Sequence, residues 1–195
     1  MSYGSTALIV VDVQVDFCEG GALAVAGGNE VAERIAWTLE HARGAYAEIV
    51  FTKDWHNPLP DDNGGHFSGT PDFVDSWPVH CVQNSLGSAF HPAIEWARDI
   101  YTMPIFYKGR GKPDYSGFQG VNNGQTLDEF LQERGIDEVH VVGIAGDYCV
   151  RQTALDAKAK GYKTYIFPSM VASVGGPEAT EAVQEELARG LTPTR

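Results

Sequence analysis

The stretch Gly143-Ile-Ala-Gly-Asp-Tyr-Cys149 ends a run of mostly apolar residues and leads into a helical pattern. The apolar run, Glu138–Ile144, predicts a strand buried on both faces, because its apolar character is nearly continuous. The residues from about Cys149 to Lys160 predict a helix, which Gly161 ends. A buried strand, a tight turn and a helix in this order are typical of a parallel α/β fold.

Strands and helices alternate outward from this stretch in both directions. Runs rich in β-branched and aromatic residues predict four more strands, at Ala7–Val13, Glu48–Lys53, Met103–Lys108 and Tyr162–Phe167. Three more helices are predicted, from an N-cap at Asn29 to Gly44, from a capping box at Thr126 and Glu129 to Gly135, and from Pro177 to about Gly190. This order predicts an α/β fold of three layers, α/β/α, with a mostly parallel sheet of five or six strands. The tail after Gly190 resembles a strand only poorly, and the number of strands is five or six depending on whether this tail forms one.

Composition and charge narrow the possible partners. The 195 residues carry a formal net charge of −12 and form no basic stripe, which argues against a nucleic-acid partner. The apolar run Ala7–Val11 is too short to cross a membrane, so no membrane partner is expected. Three widely spaced cysteines indicate free thiols in a reducing compartment. We therefore expect a cytoplasmic protein without a leader, with a single domain over residues 1–195.

Four chemically capable side chains lie at or just beyond the ends of predicted strands. Asp12 nearly ends the first strand, Asp54 follows the second, Lys108 ends the third, and Cys149 lies just beyond the fourth. The carboxyl ends of parallel strands share one edge of the sheet, where open α/β folds bind ligands. We therefore expect these four groups to meet in one crevice.

Cys149 is the first candidate nucleophile. A thiol at a helix N-terminus lies near the positive end of the dipole and near unpaired N–H groups, which favour the thiolate and can stabilise an oxyanion. Asp12 is suited to accept the thiol proton, and Lys108 to stabilise both groups. The alternatives are an inert buried thiol, a turn or capping aspartate, and a solvated lysine at a strand end. Cys18, in a glycine-rich loop, is the second candidate nucleophile, and Cys81 also competes.

Histidines accompany Asp54 in the connection that runs on to Ile100, which is too long for a simple crossover and is expected to be functional or to contain short helices. Asp54 and His56 point to the same side of an extended segment, and His66 and His80 follow. Such oxygen and nitrogen donors suit a divalent transition metal. The alternative is a set of solvated loop histidines. The remaining histidines, His41, His91 and His140, are interpreted as surface or packing residues.

Three aromatic residues, Phe17, Trp77 and Tyr115, lie in loops that leave or cross the expected crevice. A flat heteroaromatic ring would stack on such side chains. Packing beneath the long connection is the alternative for each of them.

Taken together, these residues resemble the nicotinamidases of the cysteine hydrolase superfamily, which also contains the isochorismatases. The resemblance covers nearly the whole chain in seven blocks that occur in the right order. The blocks are Val11–Cys18, Thr52–His56, Gly65–Gly69, Ser76–Cys81, Tyr107–Gly109, Tyr115–Phe118 and Gly143–Cys149.

The resemblance implies an isochorismatase-like hydrolase fold and a role for each matched residue. The implied catalytic triad is Asp12, Lys108 and Cys149. The implied ligands of a divalent metal (zinc, iron or manganese) are Asp54, His56 and His80, with His66 as a fourth ligand in some members. A cis peptide at Ile144–Ala145 would direct the N–H groups of Ala145 and Cys149 at the oxyanion. Phe17 and Trp77 would flank the substrate ring, and Tyr115 and Ala145 would also line its pocket.

The reaction that the resemblance implies is hydrolysis of nicotinamide to nicotinate and ammonia, the deamidation step of NAD salvage, through a thioester at Cys149. Pyrazinamide would be hydrolysed as an analogue. The alternatives are another amidase of the superfamily that acts on a different small amide, or a non-catalytic member that keeps the fold. The metal donors argue against the first alternative, because isochorismatase-like members lack them. Retention of Asp12, Lys108 and Cys149 argues against the second. Monomer and homo-oligomer both stay open.

Overall fold

The computed structural model of the protein describes residues 4–189, and the side chains of all of these except residues 98–101. Seven strands form one sheet: β1 (Thr6–Val11), β2 (Glu48–Asp54), β3 (Ile105–Lys108), β4 (Val121–Asn122), β5 (Gln125–Thr126), β6 (Glu138–Ile144) and β7 (Lys163–Ala172). Their order across the sheet is β5-β4-β3-β2-β1-β6-β7.

The sheet is mostly parallel, as predicted. β3, β2, β1, β6 and β7 pair in parallel, whereas β4 and β5 pair antiparallel at one edge. The expected count of five or six strands is too low, because the two-residue strands β4 and β5 are too short to show any periodicity. The doubtful strand after Gly190 lies outside the described residues.

Two strands have C-terminal ends that differ from the sequence prediction by two residues or more. β1 stops at Val11 rather than Val13, because the chain turns out of the sheet at Asp12, whose φ of 48° is left-handed. β7 continues past Phe167 to Ala172 although Pro168 follows, because an edge strand tolerates a residue without an N–H. The turn at the end of β1 leaves Asp12 at the carboxyl edge of the sheet.

Among the described residues, five α-helices flank the sheet: α1 (Gly28–His41), α2 (Pro92–Tyr101), α3 (Leu127–Glu133), α4 (Arg151–Ala159) and α5 (Gly176–Arg189). The capping box of Thr126 and Glu129 is present at α3. Asn29 is not the N-cap of α1, which is Gly27. The carboxylate of Glu19 accepts hydrogen bonds from the N–H groups of both Gly27 and Asn29, at 2.7 Å each, so the helix begins earlier. α2 lies within the long connection, where the side chain of His91 caps it.

Alternate residues of the central strands face opposite layers, which confirms the three-layer architecture. Leu8 and Val10 of β1 pack with α1 and α2 on one side. Ala7 and Ile9 pack with α3, α4 and α5 on the other side. Both faces of β1 are therefore buried from water, which explains why its apolar run is continuous rather than alternating. Within the described part of the chain, no helix has the length and apolar character needed to cross a bilayer.

Candidate active site

The four strand-end groups meet at the carboxyl edge of the sheet, as expected. Nζ of Lys108 lies 2.8 Å from Oδ2 of Asp12 and 3.5 Å from Sγ of Cys149, and it also bonds Oδ1 of Asp54. One donor atom each from Asp12, Asp54 and Cys149 lie within 4.8 Å of one another. All four side chains are buried.

The two carboxylates of this cluster differ in their pKa. Burial raises the pKa of Asp12, with a further contribution from the charge of Asp54, and the charge of Lys108 only partly opposes this. Burial also acts to raise the pKa of Asp54, but Lys108, His56 and His80 hold it well below its usual range. Burial alone would lower the pKa of Lys108, but Asp12 and Asp54 hold it well above its usual value. The surroundings thus favour the ionised form of Asp54, whereas burial favours the protonated form of Asp12.

Cys149 lies in a π-helical turn, Gly146–Val150, between β6 and α4. The N–H groups of Tyr148 and Val150 both donate to the carbonyl oxygen of Ala145, at 3.1 and 3.0 Å, and the Ile144–Ala145 peptide is cis. Burial raises the pKa of the Cys149 thiol well above its ordinary value, although Lys108 opposes this. Burial therefore opposes the effect of the helix N-terminus, which favours the thiolate, and Asp12 lies close enough to take part in moving the thiol proton.

Glycine at position 143 allows β6 to approach β1 closely just before this turn. The φ of Gly143 is 122°, and a Cβ atom there would lie 2.1 Å from the carbonyl oxygen of Val11. Only glycine combines this conformation with this approach. The close contact fixes the distance between Asp12 at the end of β1 and the turn that carries Cys149.

Three buried imidazoles face the cluster beside Asp54. Nε2 of His56 and Nε2 of His80 lie 3.6 and 3.8 Å from Oδ2 of Asp54. Nδ1 of His56 donates to the carbonyl oxygen of Gly109, and Nδ1 of His80 to that of Pro78, both at 2.7 Å. Because a carbonyl oxygen only accepts, Nδ1 of each ring carries a proton, and these bonds orient Nε2 of each ring towards the carboxylate of Asp54.

The donor set fits a divalent metal. Among the described residues, Nε2 of His56 and Nδ1 of His66 are buried without a hydrogen-bond partner. One nitrogen each from His56, His66 and His80 lie within 4.8 Å of one another. Burial lowers the pKa of His66 to about 3 and that of His80 to about 4, so both rings are neutral ligands at neutral pH. The three imidazoles and Oδ2 of Asp54 together offer three nitrogens and one oxygen.

Side-chain bonds to the backbone hold the long segment that delivers His66. Asn63 is completely buried, and its Oδ1 accepts hydrogen bonds from the N–H groups of Asn57 at 2.8 Å and Gly111 at 3.0 Å. Its Nδ2 donates to the carbonyl oxygens of Asn57 and Asp61. Asn63 therefore joins this segment to the loop after β3, which carries the Gly109 partner of His56.

The predicted aromatic residues line a cleft above the thiol and the imidazoles. Phe17, Trp77 and Tyr115 contribute to its walls together with Ala145, and Nε1 of Trp77 donates to the hydroxyl of Tyr115 at 3.1 Å. The ring of Phe17 lies 5.4 Å from that of His80. Residues that the sequence did not single out complete the walls: Leu23, Val25, Tyr148 and Val174.

Two residues to which the sequence interpretation gave no role contact the cluster of Asp12, Asp54, Lys108 and Cys149. Oγ1 of Thr52 donates to Oδ1 of Asp12 at 2.6 Å and accepts from the N–H of Asp12 at 3.2 Å. The carbonyl oxygen of Asp114 accepts from Lys108 at 3.2 Å, and its carboxylate accepts from the N–H of Gly109 at 3.2 Å. The only signal for Thr52 was a polar residue inside an apolar strand. The rival thiols, Cys18 and Cys81, are buried outside the walls of the cleft.

The fold and site define a class: a parallel α/β protein with a buried thiol, carboxylate and ammonium beside a metal-binding set of imidazoles. Residues 6–195 match the model of the isochorismatase domain, and the chain belongs to this family. The predicted resemblance is thereby confirmed.

Proteins similar to the chain include several that are named nicotinamidases. It is 48% identical over 180 residues to the nicotinamidase/pyrazinamidase of Mycobacterium tuberculosis, with 92% of both chains covered. It is similar to the yeast nicotinamidase bound to the inhibitor nicotinaldehyde, with a TM-score of 0.81, 30% identity, and 94% of this chain and 96% of that chain covered. It is also similar to the pyrazinamidase of Pyrococcus horikoshii in complex with zinc, with a TM-score of 0.75, 35% identity, and 96% and 97% covered.

Proposed function

We propose that the chain is a metal-dependent amidase that hydrolyses nicotinamide to nicotinate and ammonia, and that it also hydrolyses pyrazinamide. The observation that carries the proposal is one aromatic cleft whose walls include Cys149, Asp54, His66 and His80. Lys108 contacts Cys149, Asp12 and Asp54 there, and His56 lies beside Asp54. The names of the most similar relatives point to the same substrates.

In the first step, Sγ of Cys149 attacks the amide carbon while Asp12 accepts the thiol proton. Asp12 suits this role because its pKa is raised and its Oδ1 is oriented by Thr52. Lys108 contacts both the sulfur and the carboxylate, so it stabilises the negative charge wherever the proton lies. The N–H groups of Ala145 and Cys149 are proposed to bind the oxyanion.

In the second step, the tetrahedral intermediate collapses and the C–N bond breaks. Asp12 returns its proton to the leaving nitrogen, so ammonia departs and a thioester with Cys149 remains. Asp12, again a carboxylate, then accepts a proton from water that attacks the thioester. The C–S bond breaks, the thiol recovers its proton, and the carboxylic acid product leaves.

Asp54, His56, His66 and His80 are proposed to hold the metal ion, with zinc, iron and manganese as the candidates. When bound, the ion supplies a Lewis-acidic centre for the ring nitrogen of the substrate. Phe17 and Trp77 are proposed to flank the ring, with Tyr115 and Ala145 beside it. Together these side chains orient the amide carbon towards Cys149.

We further propose that the protein acts in the cytoplasm as a single domain. Its thiols among the described residues are unpaired and buried, which suits a reducing compartment. Its acidic character, with a net charge of −12, favours a small-molecule substrate over nucleic acid, and no membrane partner is proposed. A monomer and a homo-oligomer are both compatible with this function.

The test is ammonia release from nicotinamide and pyrazinamide by the purified protein, before and after removal of metal with a chelator. We expect activity to fall to background on chelation and to return when zinc, iron or manganese is restored singly. Full activity after complete removal of metal would refute the metal dependence. A folded, metal-loaded protein that releases no ammonia from nicotinamide, but does so from another small amide, would favour the superfamily alternative. Release from no amide tested would favour a non-catalytic member.

A further inference from the structure

Gln14 is a completely buried side chain to which the proposed mechanism gives no role. Its Oε1 accepts a hydrogen bond from the N–H of Asp54 at 2.9 Å. Its Nε2 donates to the carbonyl oxygen of Asp54 at 2.9 Å and to that of Ser88 at 3.1 Å. This orientation of the amide is the only one that satisfies all three bonds, because carbonyl oxygens only accept and the backbone N–H only donates.

The position of Asp54 in the sheet explains why it needs such a partner. The paired register of β1 and β2 ends at Val10 and Phe51, and the chain leaves the sheet at Asp12. On its other side, β2 continues to pair with β3, where the N–H of Trp55 donates to the carbonyl oxygen of Lys108. Because peptide groups alternate in direction along a strand, the N–H and C=O of Asp54 face the side that β1 has vacated. The amide of Gln14 takes the place of the missing strand.

The main chain of Gln14 is itself held by a second segment. Gln14 forms an isolated antiparallel bridge with Phe90. On either side of it, the N–H of His91 donates to the carbonyl oxygen of Val13, and the N–H of Val15 to that of Ala89, both at 2.9 Å. The amide of Gln14 is therefore positioned before any ligand binds.

We infer that Gln14 is a positioning residue that fixes Asp54 as a metal ligand and so sets the affinity of the site for its metal ion. The inference rests on the metal site of the proposed function. Asp54 uses Oδ1 for Lys108 and presents Oδ2 to His56 and His80, so a small rotation of its backbone moves Oδ2 away from the imidazoles. Groups that orient a metal ligand typically change affinity by about 10- to 100-fold when they are removed.

The experiment measures zinc binding by competition with a chromophoric chelator, for the wild-type chain, Gln14→Met and Gln14→Asn. Methionine fills a similar volume without hydrogen bonds, and asparagine keeps an amide that is one methylene too short. We expect the zinc dissociation constant to rise about 10- to 100-fold in Gln14→Met and less in Gln14→Asn, with circular dichroism confirming that both are folded. If Gln14→Met does not fold, the zinc dissociation constant of Gln14→Asn alone tests the inference.

Thr180→Val is the matched control. It removes another buried hydrogen bond, 2.6 Å long, between Thr180 and Ser173, which lie outside the metal site. We expect a lower melting temperature with an unchanged zinc dissociation constant. Folded Gln14 variants that bind zinc within about threefold of wild type would overturn the inference, as would a weakening in Thr180→Val as large as theirs. A wild-type chain that binds no zinc, iron or manganese would instead overturn the proposed metal site, and the inference with it.

Discussion

Asp12 and Lys108 form an ion pair in which both side chains are completely buried, with 2.8 Å between Oδ2 and Nζ. The ammonium also bonds Asp54, so one positive charge serves two carboxylates. Burial of an uncompensated charge is costly. In the proposed function, a metal ion beside Asp54 and a proton on Asp12 would each relieve the excess negative charge. The proposal therefore assigns metal binding to Asp54 and proton transfer to Asp12.

Asp12→Asn tests the second of these roles. Asparagine has nearly the same shape but does not accept the thiol proton, so we expect kcat for nicotinamide to fall by about 10²- to 10⁴-fold. Zinc content should stay at the wild-type level, because Oδ2 of Asp12 faces Lys108. The readouts are ammonia release and metal analysis of the same sample. Asp128→Asn, which changes an acidic residue of α3, is the control and should keep full activity. A kcat for Asp12→Asn within threefold of wild type would exclude Asp12 as the base.

The parts of the site that follow strand ends could be predicted from the sequence. Asp12, Asp54, Lys108 and Cys149 each stand next to an apolar run, and parallel strands bring their carboxyl ends to one edge. The histidines and the aromatic walls were suggested by residue type and position alone, with alternatives left open, and the resemblance of motifs gave them their individual roles, since their loops show no periodicity. The strands β4 and β5 at the edge of the sheet could not be predicted, because two residues are too few to show the alternation of apolar and polar residues that marks a strand.

Contacts that depend on sheet register could not be predicted. Gln14 meets Asp54 and Thr52 meets Asp12 across 40 positions of the chain. Each pair forms only because β1 and β2 lie side by side in one particular register. The burial that raises the pKa of the Cys149 thiol could not be predicted either, because the position of a residue at a helix N-terminus indicates the dipole but not the depth of burial.

Cys149→Ala should abolish ammonia release while leaving metal content intact. The thiol is the proposed nucleophile, but its sulfur lies on the Lys108 side of the cleft, so the imidazoles keep their arrangement. Ammonia release and bound metal are measured together. Cys18→Ala removes the rival thiol, which lies outside the walls of the cleft, and should keep turnover. Turnover that persists in Cys149→Ala and disappears in Cys18→Ala would reverse the assignment.

His56→Ala should lose both metal and activity. Its Nε2 is buried without a hydrogen-bond partner, and its removal takes away one of the proposed ligands. We expect metal affinity to fall at least about 100-fold, beyond the usual effect of an outer-shell change. His41→Ala is the control, since His41 lies on the surface against Trp37 and should affect neither property. Wild-type metal content in His56→Ala would remove this residue from the ligand set.

His66→Ala tests whether the long segment before His66 delivers a fourth ligand. Nδ1 of His66 is buried without a partner, and Asn63 holds the segment in place. We therefore expect weaker metal binding, by about tenfold or more, with the fold retained. Chelator competition measures the affinity, and circular dichroism checks the fold. An affinity equal to that of wild type would limit the ligands to Asp54, His56 and His80.

The loop that carries Trp77 should lose stability as the pH falls, through Asp72. Hydrogen bonds from the N–H groups of Val74, Ser76 and Asp75 and from the hydroxyl of Ser76 hold the pKa of Asp72 well below its usual range. The folded-state pKa lies below the unfolded value of about 4, so the contribution is fully present above pH 4 and is lost as the pH falls towards the folded-state pKa.

Asp72→Asn should therefore be less stable than wild type at neutral pH, and the difference should shrink at acid pH. The measurement is urea unfolding of both proteins in steps from neutral pH down to about pH 3, followed by tryptophan fluorescence. Because Trp77 follows this loop and lines the cleft, KM for nicotinamide should rise in Asp72→Asn at neutral pH. A difference in unfolding free energy that stays constant over the whole range would show that the Asp72 charge is not coupled to folding.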